Sequence, residues 1–207
     1  MNNTGDAGLL DKIRADLPDF ISGKRLEHTY SVCEEAAKLG RLYGLCEKDI
    51  GRLKAAGLLH DITKEKTLEN QLELCCRFGY EYTEDDIFSP KVLHSITGAY
   101  LAREKYGEAV DDIIFGAIKY HTTGRPCMNI YEKLLYLSDY IEPTRTFTDC
   151  AHLRELFYCT DEYTEEHLNK ILLISYDMTL SSLIAESQYI HPATVSARNY
   201  LIKTQNK

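Results

Sequence analysis

The segment KAAGLLHDITK, residues 54–64, is the most informative part of this sequence. Its first half is apolar and continues a stripe through Ile50 and Leu53 with the spacing of one α-helical face. The apolar stripe ends at His60 and Asp61, two residue types that bind metals. An ionised carboxylate next to an apolar helix is costly unless it is paired or binds a metal. This segment therefore predicts a buried helix that carries a polar pair to an interior site.

The helical period recurs along the rest of the chain, and no segment alternates in the manner of a β-strand. We therefore predict a single all-α domain over residues 11–207, preceded by a frayed segment at residues 1–10. The predicted helices are residues 24–43 and 48–59, one opened by Thr67 and closed by Gly79, 90–106, 111–120, one from Asn129 to Ile141, 153–158, 164–186, and one opened by His191 and Pro192.

Composition narrows the classes of function. The 207 residues carry 24 basic and 32 acidic side chains, a net charge of -8. This balance disfavours a nucleic-acid partner, although a locally positive cleft can still bind a small anion. No apolar run is long enough to cross a bilayer, and residues 1–10 lack the pattern of a signal peptide. The seven cysteines form no C-x-x-C motif, so we expect reduced thiols and a cytoplasmic protein.

Polar residues recur at the edges of other apolar helices. His28, His94 and His121 each lie in or beside an apolar stretch, and Asp139 follows LLYLS. Any one of them is more often a hydrogen-bonded core residue than a ligand. Together with His60–Asp61, however, they predict a metal site in the centre of a helical bundle, where side chains of facing helices converge. The other histidines are expected to be surface or capping residues: His152, His167 and His191.

The order of these residues resembles a known signature. His28, His60–Asp61 and Asp139 look like the H…HD…D pattern of the HD-domain metal-dependent phosphohydrolases. Longer strings are similar to the bacterial HD-domain symmetrical bis(5'-nucleosyl)-tetraphosphatases, the diadenosine tetraphosphate hydrolases. One departure is Ser138, where the family leads us to expect alanine. The similar strings are KRLEHT, GLLHDITK, LHSITGAYLAREKYG, AIKYHTTGRPCM, EKLLYLSDYIEPTR and HPATVSARNYL.

The resemblance implies an HD-type helical bundle with a central metal site and assigns roles to its ligands. His28, His60, Asp61 and Asp139 would chelate a first metal, and Asp61 would bridge to a second. His94 and His121 would complete the second site or bind phosphate directly. This donor set suits iron, manganese, cobalt or zinc better than calcium. The resemblance favours iron, as one or two ions.

The implied reaction is the metal-dependent hydrolysis of diadenosine tetraphosphate into two ADP. The alternatives are an HD-type phosphohydrolase acting on a nucleoside triphosphate or signalling nucleotide, and a non-catalytic nucleotide-binding regulator. We expect a small dinucleoside polyphosphate partner, no nucleic acid and no membrane; a homodimer is left open. Gln188 to Thr194 is a candidate wall for the base, while Lys66 and Arg125 are expected to be ordinary surface residues. Asp61 and Lys64 are expected to be catalytic, and the expected substrate contacts are Arg25, Lys64, Thr122, Thr123, Gly124 and Arg145.

Overall fold

A computed structural model of the protein describes residues 4–205, which form a single all-α domain and confirm the predicted fold class. No strand occurs within these residues, and none of their helices is long and apolar enough to span a membrane. Over this range the chain forms eleven α-helices: α1 Thr4–Asp16, α2 Gly23–Leu42, α3 Glu47–Leu59, α4 Leu68–Arg77, α5 Glu84–Phe88, α6 Pro90–Tyr106, α7 Asp112–Tyr120, α8 Ile130–Ile141, α9 Thr148–Tyr158, α10 Glu165–Ala185 and α11 Pro192–Gln205.

Local signals account for several helix boundaries. The Thr67 side chain accepts a hydrogen bond from the first turn of α4. Asn129 and Glu132 form a reciprocal capping box at the start of α8. Helix α6 runs from Pro90 to Tyr106, as predicted. These boundaries were predictable because each depends on residues no more than one turn away in the sequence.

Other elements differ from the sequence prediction. Helix α9 begins at Thr148 and not at Leu153, because its first turn is largely exposed and lacks an apolar period. The five-residue helix α5 was not predicted; its start depends on a capping box between Thr83 and Asp86. The segment expected to fray, residues 1–10, lies partly outside the described residues. Its described part, residues 4–10, belongs to α1.

The buried side chains form two apolar clusters, and helices α2, α3 and α8 contribute to both. One cluster joins them to α1, α6 and α7. The other joins them to α9, α10 and α11. The polar residues predicted to bind metal lie on or next to α2, α3, α6, α7 and α8. Because apolar packing fixes α2, α3 and α8 on both sides and α6 and α7 on one, their polar side chains are held at fixed separations.

A glycine sets the close approach of α2 and α3. A Cβ at Gly57 would lie 2.8 Å from the Cα of Cys33, so no larger residue fits without moving a backbone. Gly57 lies one turn before His60 on α3, and Cys33 follows His28 by five residues on α2. The crossing at Gly57 therefore brings these two histidines towards the same point; their ring centroids are 5.4 Å apart.

Candidate metal centre

Five elements bring the predicted ligands together around Asp61. His28 lies on α2, His60 is the C-cap of α3, and Asp61 follows in the next turn. Helices α6, α7 and α8 contribute the remaining side chains. All are buried except Asp139, whose side chain is 20% exposed. The ligands from α6, α7 and α8 are His94, His121 and Asp139.

The two oxygens of the Asp61 carboxylate face different histidines. Its Oδ2 lies 3.4 Å from Nε2 of His60 and 3.9 Å from Nε2 of His28. Its Oδ1 lies 3.1 Å from Nε2 of His94 and 3.8 Å from Nε2 of His121. A carboxylate with histidine nitrogens on both sides has the arrangement of a bridging ligand between two cation sites.

Hydrogen bonds at Nδ1 orient all four imidazoles. Nδ1 of His60, His94 and His121 donates to the backbone carbonyl three residues earlier, at 2.7, 2.6 and 2.7 Å. Nδ1 of His28 donates to Oε1 of Glu142 at 2.9 Å. Because carbonyl and carboxylate oxygens only accept, Nδ1 carries the proton in each ring. In its neutral form, each ring therefore presents the lone pair of Nε2 to the centre, as metal ligands require.

The Nε2 atoms show that these residues fit a metal. Nε2 of His28 and of His60 is buried and has no hydrogen-bond partner within the described part of the chain. Asp139 Oδ1 is 3.0 Å from Nε2 of His28 and 3.7 Å from that of His60, without forming a hydrogen bond to either. Nε2 of His94 and of His121 approach to 3.0 Å, so two lone pairs face each other. A cation between these atoms would satisfy all of them.

The electrostatics keep both carboxylates ionised. Burial would raise the pKa of Asp61, but the surrounding His60, His121 and His94 hold it well below its ordinary value. Burial likewise opposes ionisation of Asp139, and Arg145 and His28 keep its pKa well below the usual range. Two anionic carboxylates and four imidazoles make a donor set of intermediate softness, which suits a divalent transition metal.

The histidines differ in protonation when no metal is present. Burial lowers the pKa of His94 to about 3, despite the nearby Asp61. For His28, burial also disfavours the charged form, but the nearby carboxylates of Asp139 and Glu142 raise its pKa to about 9. A metal bound at His28 would therefore displace a proton from Nε2, whereas His94 would bind without releasing one.

Three cations that the sequence predicts as substrate contacts border the centre. Nη1 of Arg25 donates to Oδ2 of Asp61 at 2.7 Å, and Nη2 of Arg145 donates to Oδ1 of Asp139 at 2.6 Å. Nζ of Lys64 lies 3.1 Å from Nε2 of His94. Burial lowers the pKa of Lys64, although Asp61 favours its charged form. Positive charge thus borders the candidate ligands on three sides of the cluster: at Asp61, Asp139 and His94.

The H-T-T-G segment after α7 enters the site only in part. Oγ1 of Thr122 lies 3.2 Å from Nε2 of His121. The Thr123 hydroxyl donates instead to the carbonyl of Gly124, at 3.0 Å. The Gly124 N–H donates to the carbonyl of Tyr120 at 2.9 Å, so it is already used within the turn. Of the three predicted contacts in this segment, the structure therefore brings Thr122 alone to the metal ligands.

Sequence reasoning missed Glu142, whose side chain is fully buried. Besides accepting from His28, it accepts hydrogen bonds from the backbone N–H and hydroxyl of Thr144, at 2.6 and 2.7 Å. The sequence signal for Glu142 was its spacing, since a residue three positions after Asp139 lies on the same side of a helix.

Ser138, where the family leads us to expect alanine, is accommodated in the structure. Its buried hydroxyl donates to the Leu134 carbonyl at 2.6 Å.

A cavity of about 510 Å³ lies beside the metal ligands. Thr122 and Thr123 form part of its wall on the side of the metal centre. Most of its lining is apolar, and the segment predicted to contact the base contributes four residues. A cavity of this size and character is typical of small-molecule sites. The four residues are Gln188, Tyr189, His191 and Thr194.

Comparisons with known proteins agree with this geometry. Residues 25–144 match the HD domain family. The chain is 33% identical over 185 residues to the symmetrical bis(5'-nucleosyl)-tetraphosphatase of Halalkalibacterium halodurans, covering 89% of this chain and 92% of the relative. It is 32% identical over 182 residues to the protein of that name from Bacillus subtilis (strain 168), covering 88% and 91%.

A solved structure also shows the same fold. The predicted HD superfamily hydrolase involved in NAD metabolism from Clostridium acetobutylicum superposes with a TM-score of 0.84 and 36% sequence identity. The match covers 94% of this chain and 97% of the other. The chain therefore belongs to the HD domain family and, within it, to the family of the symmetrical bis(5'-nucleosyl)-tetraphosphatases.

Proposed function

We propose that the protein is a metal-dependent hydrolase that cleaves diadenosine tetraphosphate symmetrically into two ADP. The observation that carries this proposal is the Asp61 carboxylate, which lies between two groups of inward-facing histidine nitrogens. Family membership supplies the substrate class, because relatives covering most of the chain are named symmetrical tetraphosphatases.

The residues divide between two metal positions. His28, His60, Asp61 and Asp139 would hold the first metal. Asp61, His94 and His121 would hold the second, or the two histidines would bind a phosphoryl oxygen directly. We propose iron as the metal, and manganese, cobalt and zinc suit the same donors. Bound there, the metal would supply Lewis acidity and make a hydroxide nucleophile available at neutral pH.

The chain's own cations would orient the phosphate chain. Arg25 and Arg145 contact the two ligand carboxylates, and Lys64 contacts a ligand histidine, so all three border the reacting phosphates. Arginine can present two parallel donors to one phosphoryl group. Such charges stabilise the oxygens on which negative charge builds during phosphoryl transfer. Water adds across the central P–O–P bridge, and each half of the substrate departs as ADP.

The cavity beside Thr122 would hold one nucleoside. Its largely apolar lining suits a base, and Gln188 or His191 would supply polar contacts to the base or ribose. Holding one nucleoside at a fixed distance from the metals selects which anhydride bond is cut. We propose the cytoplasm as the site of action, since the expected substrate is a free nucleotide.

The direct test is product analysis on diadenosine tetraphosphate with metal-loaded protein. We expect two ADP per substrate consumed and no ATP or AMP. An Asp61→Ala variant should lose metal and turnover while its helical circular dichroism is retained. ATP plus AMP would contradict symmetrical cleavage. Hydrolysis of nucleoside triphosphates alone would favour an HD-type phosphohydrolase with a different nucleotide substrate. Metal-dependent nucleotide binding without turnover would favour a non-catalytic regulator.

A further inference from the structure

A small cleft lined by lysines opens beside the metal centre. We call it the lysine cleft; its volume is about 200 Å³. His94 forms one wall, so the cleft adjoins the proposed metal position. Its lining contains three lysines and no carboxylate, although the whole chain carries a net charge of -8. The remaining lining comes from α4 and the start of α6. The lining residues are Lys64, Lys66, Leu68, Gln71, Pro90, Lys91 and His94.

The lysines of this cleft have little opposing charge. Nζ of Lys91 is 3.4 Å from the neutral Gln188 amide oxygen. Within residues 8–204, Lys66 has no ion pair. Only Lys64 meets a carboxylate, Asp61 at 4.0 Å, which a bound metal would share. Three lysines that line one cleft with a single carboxylate in reach make the lining positively charged, and this favours an anion.

A buried polar network holds the floor of the cleft. The Gln71 amide donates to the carbonyl of Thr63 at 2.6 Å, and the Lys66 N–H donates to the same carbonyl at 3.1 Å. The Thr63 hydroxyl donates to the carbonyl of His94 at 2.9 Å. These bonds tie the turn that carries Lys64 and Lys66 to α4 and α6. The backbone that carries Lys64 and Lys66 is therefore anchored, and Lys91 lies in the first turn of α6 itself.

Size identifies what the cleft would accept. At about 200 Å³ it is well under half the volume of the 510 Å³ cavity that would take a nucleoside. Pockets for whole small molecules are typically about 300–1,000 Å³. Pro90 and Lys91 line both spaces, so the start of α6 separates them. Phosphoryl groups fit the volume and the charge of the cleft, whereas a nucleoside fits neither.

We propose that the lysine cleft binds the phosphoryl groups of the substrate that extend beyond the metal centre, with Lys66 and Lys91 as contacts. This proposal rests on the proposed function, because it assigns a position to part of the same polyphosphate chain. It makes Lys66 a substrate contact, whereas the sequence alone indicated ordinary surface. It also gives a physical reason for selecting a long phosphate chain: a short one would leave the cleft empty.

The test compares two inorganic probes by titration calorimetry on metal-loaded protein. Orthophosphate occupies the metal centre alone, whereas tripolyphosphate is long enough to reach the cleft. The Lys66→Ala/Lys91→Ala double variant should bind tripolyphosphate about tenfold more weakly, equivalent to ~1.4 kcal/mol, and bind orthophosphate like wild type. The Lys66→Arg/Lys91→Arg variant should restore tripolyphosphate binding, because it keeps both charges. Lys170→Ala, an exposed lysine on α10, is the matched control.

The outcomes separate this proposal from the proposed function. Equal tripolyphosphate affinity in the double variant and in Lys170→Ala would overturn the cleft proposal, whatever the activity. An equal loss for both probes would also overturn it, since the lysines would then act through the metal centre. A selective loss without any diadenosine tetraphosphate turnover would support the cleft and contradict the proposed function. With turnover present, the double variant should show about a tenfold higher KM and little change in kcat.

Discussion

His28 differs from the other three histidines around Asp61 in what holds its ring. His60, His94 and His121 donate from Nδ1 to backbone carbonyls, whereas His28 donates to the buried carboxylate of Glu142. A carboxylate partner makes an imidazole a stronger ligand than a carbonyl partner does. Burial opposes ionisation of Glu142, but hydrogen bonds from His28, Ser31 and Thr144 lower its pKa to about 2. Glu142 therefore stays anionic at neutral pH and would strengthen the proposed first metal position.

At the residue scale we therefore expect Glu142→Gln to weaken metal binding by roughly 10- to 100-fold, the range seen when such supporting groups are removed. The amide oxygen can still accept from His28, so the ring orientation should survive while the charge is lost. The measurement is metal affinity by competition with a chelator of known strength. Glu35→Gln is the control, because Glu35 is a buried carboxylate on α2, the helix that carries His28, but accepts from Tyr158, on α9. Unchanged affinity in Glu142→Gln would remove Glu142 from the site.

At the scale of elements, the turn after α7 depends on one glycine. Gly124 has φ +64°, the left-handed conformation that favours glycine. A Cβ at this position would overlap the hydroxyl of Tyr176, which is buried on α10 and has no hydrogen-bond partner in the part of the chain described. The ring of Tyr176 thus packs α10 directly against the turn that carries His121 and Thr122. The fold therefore requires glycine at position 124 whether or not this residue contacts the substrate.

Gly124→Ala should destabilise the fold by roughly 2–4 kcal/mol, combining the left-handed backbone with overpacking. Gly44→Ala is the matched control, because Gly44 has φ +69° with open space around the added Cβ, and it should cost only about 1–2 kcal/mol. Adding Tyr176→Phe to Gly124→Ala should recover part of the difference by removing the overlapping hydroxyl. Urea unfolding measures all three. Equal losses for the two alanine variants would show that Tyr176 does not restrict the turn.

At the scale of the whole molecule, the metal centre lies where several helices meet. Asp61 is 2% exposed, and His60 has no exposed surface. Helices α2, α3 and α8, which carry His28, His60 and Asp139, take part in both apolar clusters. Burial of charged and polar ligands offsets some of the apolar stabilisation unless a metal binds them. Metal binding and folding stability are therefore linked, because the unfolded chain has no preformed site.

Removing the metal should lower the melting temperature. Free metal at 100 times its Kd stabilises a native protein by about 2.7 kcal/mol. For a chain of this length, roughly 2–4 °C per kcal/mol gives a shift of about 5–10 °C. Differential scanning calorimetry before and after chelation measures it. The Asp61→Ala variant should show no metal-dependent shift; a shift as large as that of wild type would show that the metal binds elsewhere.

The side chains that meet at the candidate metal centre, and most helices, could be predicted from the sequence alone. These features are recognisable without knowing how the helices pack, because they are patterns in the sequence itself: the apolar period, caps such as Thr67 and Asn129, and the H…HD…D order. Membership of the HD domain family also followed from these strings. Local patterns failed at α5 and at the start of α9, where short or exposed turns carry no apolar period.

Only the tertiary structure decided how the ligands and charges are arranged. The sequence could not show that the two oxygens of Asp61 face different histidine pairs, or that Glu142 supports His28. Nor could the sequence show that Lys66 and Lys91 line the same cleft, since they lie on separate elements. The physical reason is that a helical period fixes which residues share a face but not which distant face meets it. That choice depends on long-range packing, such as the crossing of α2 and α3 at Gly57.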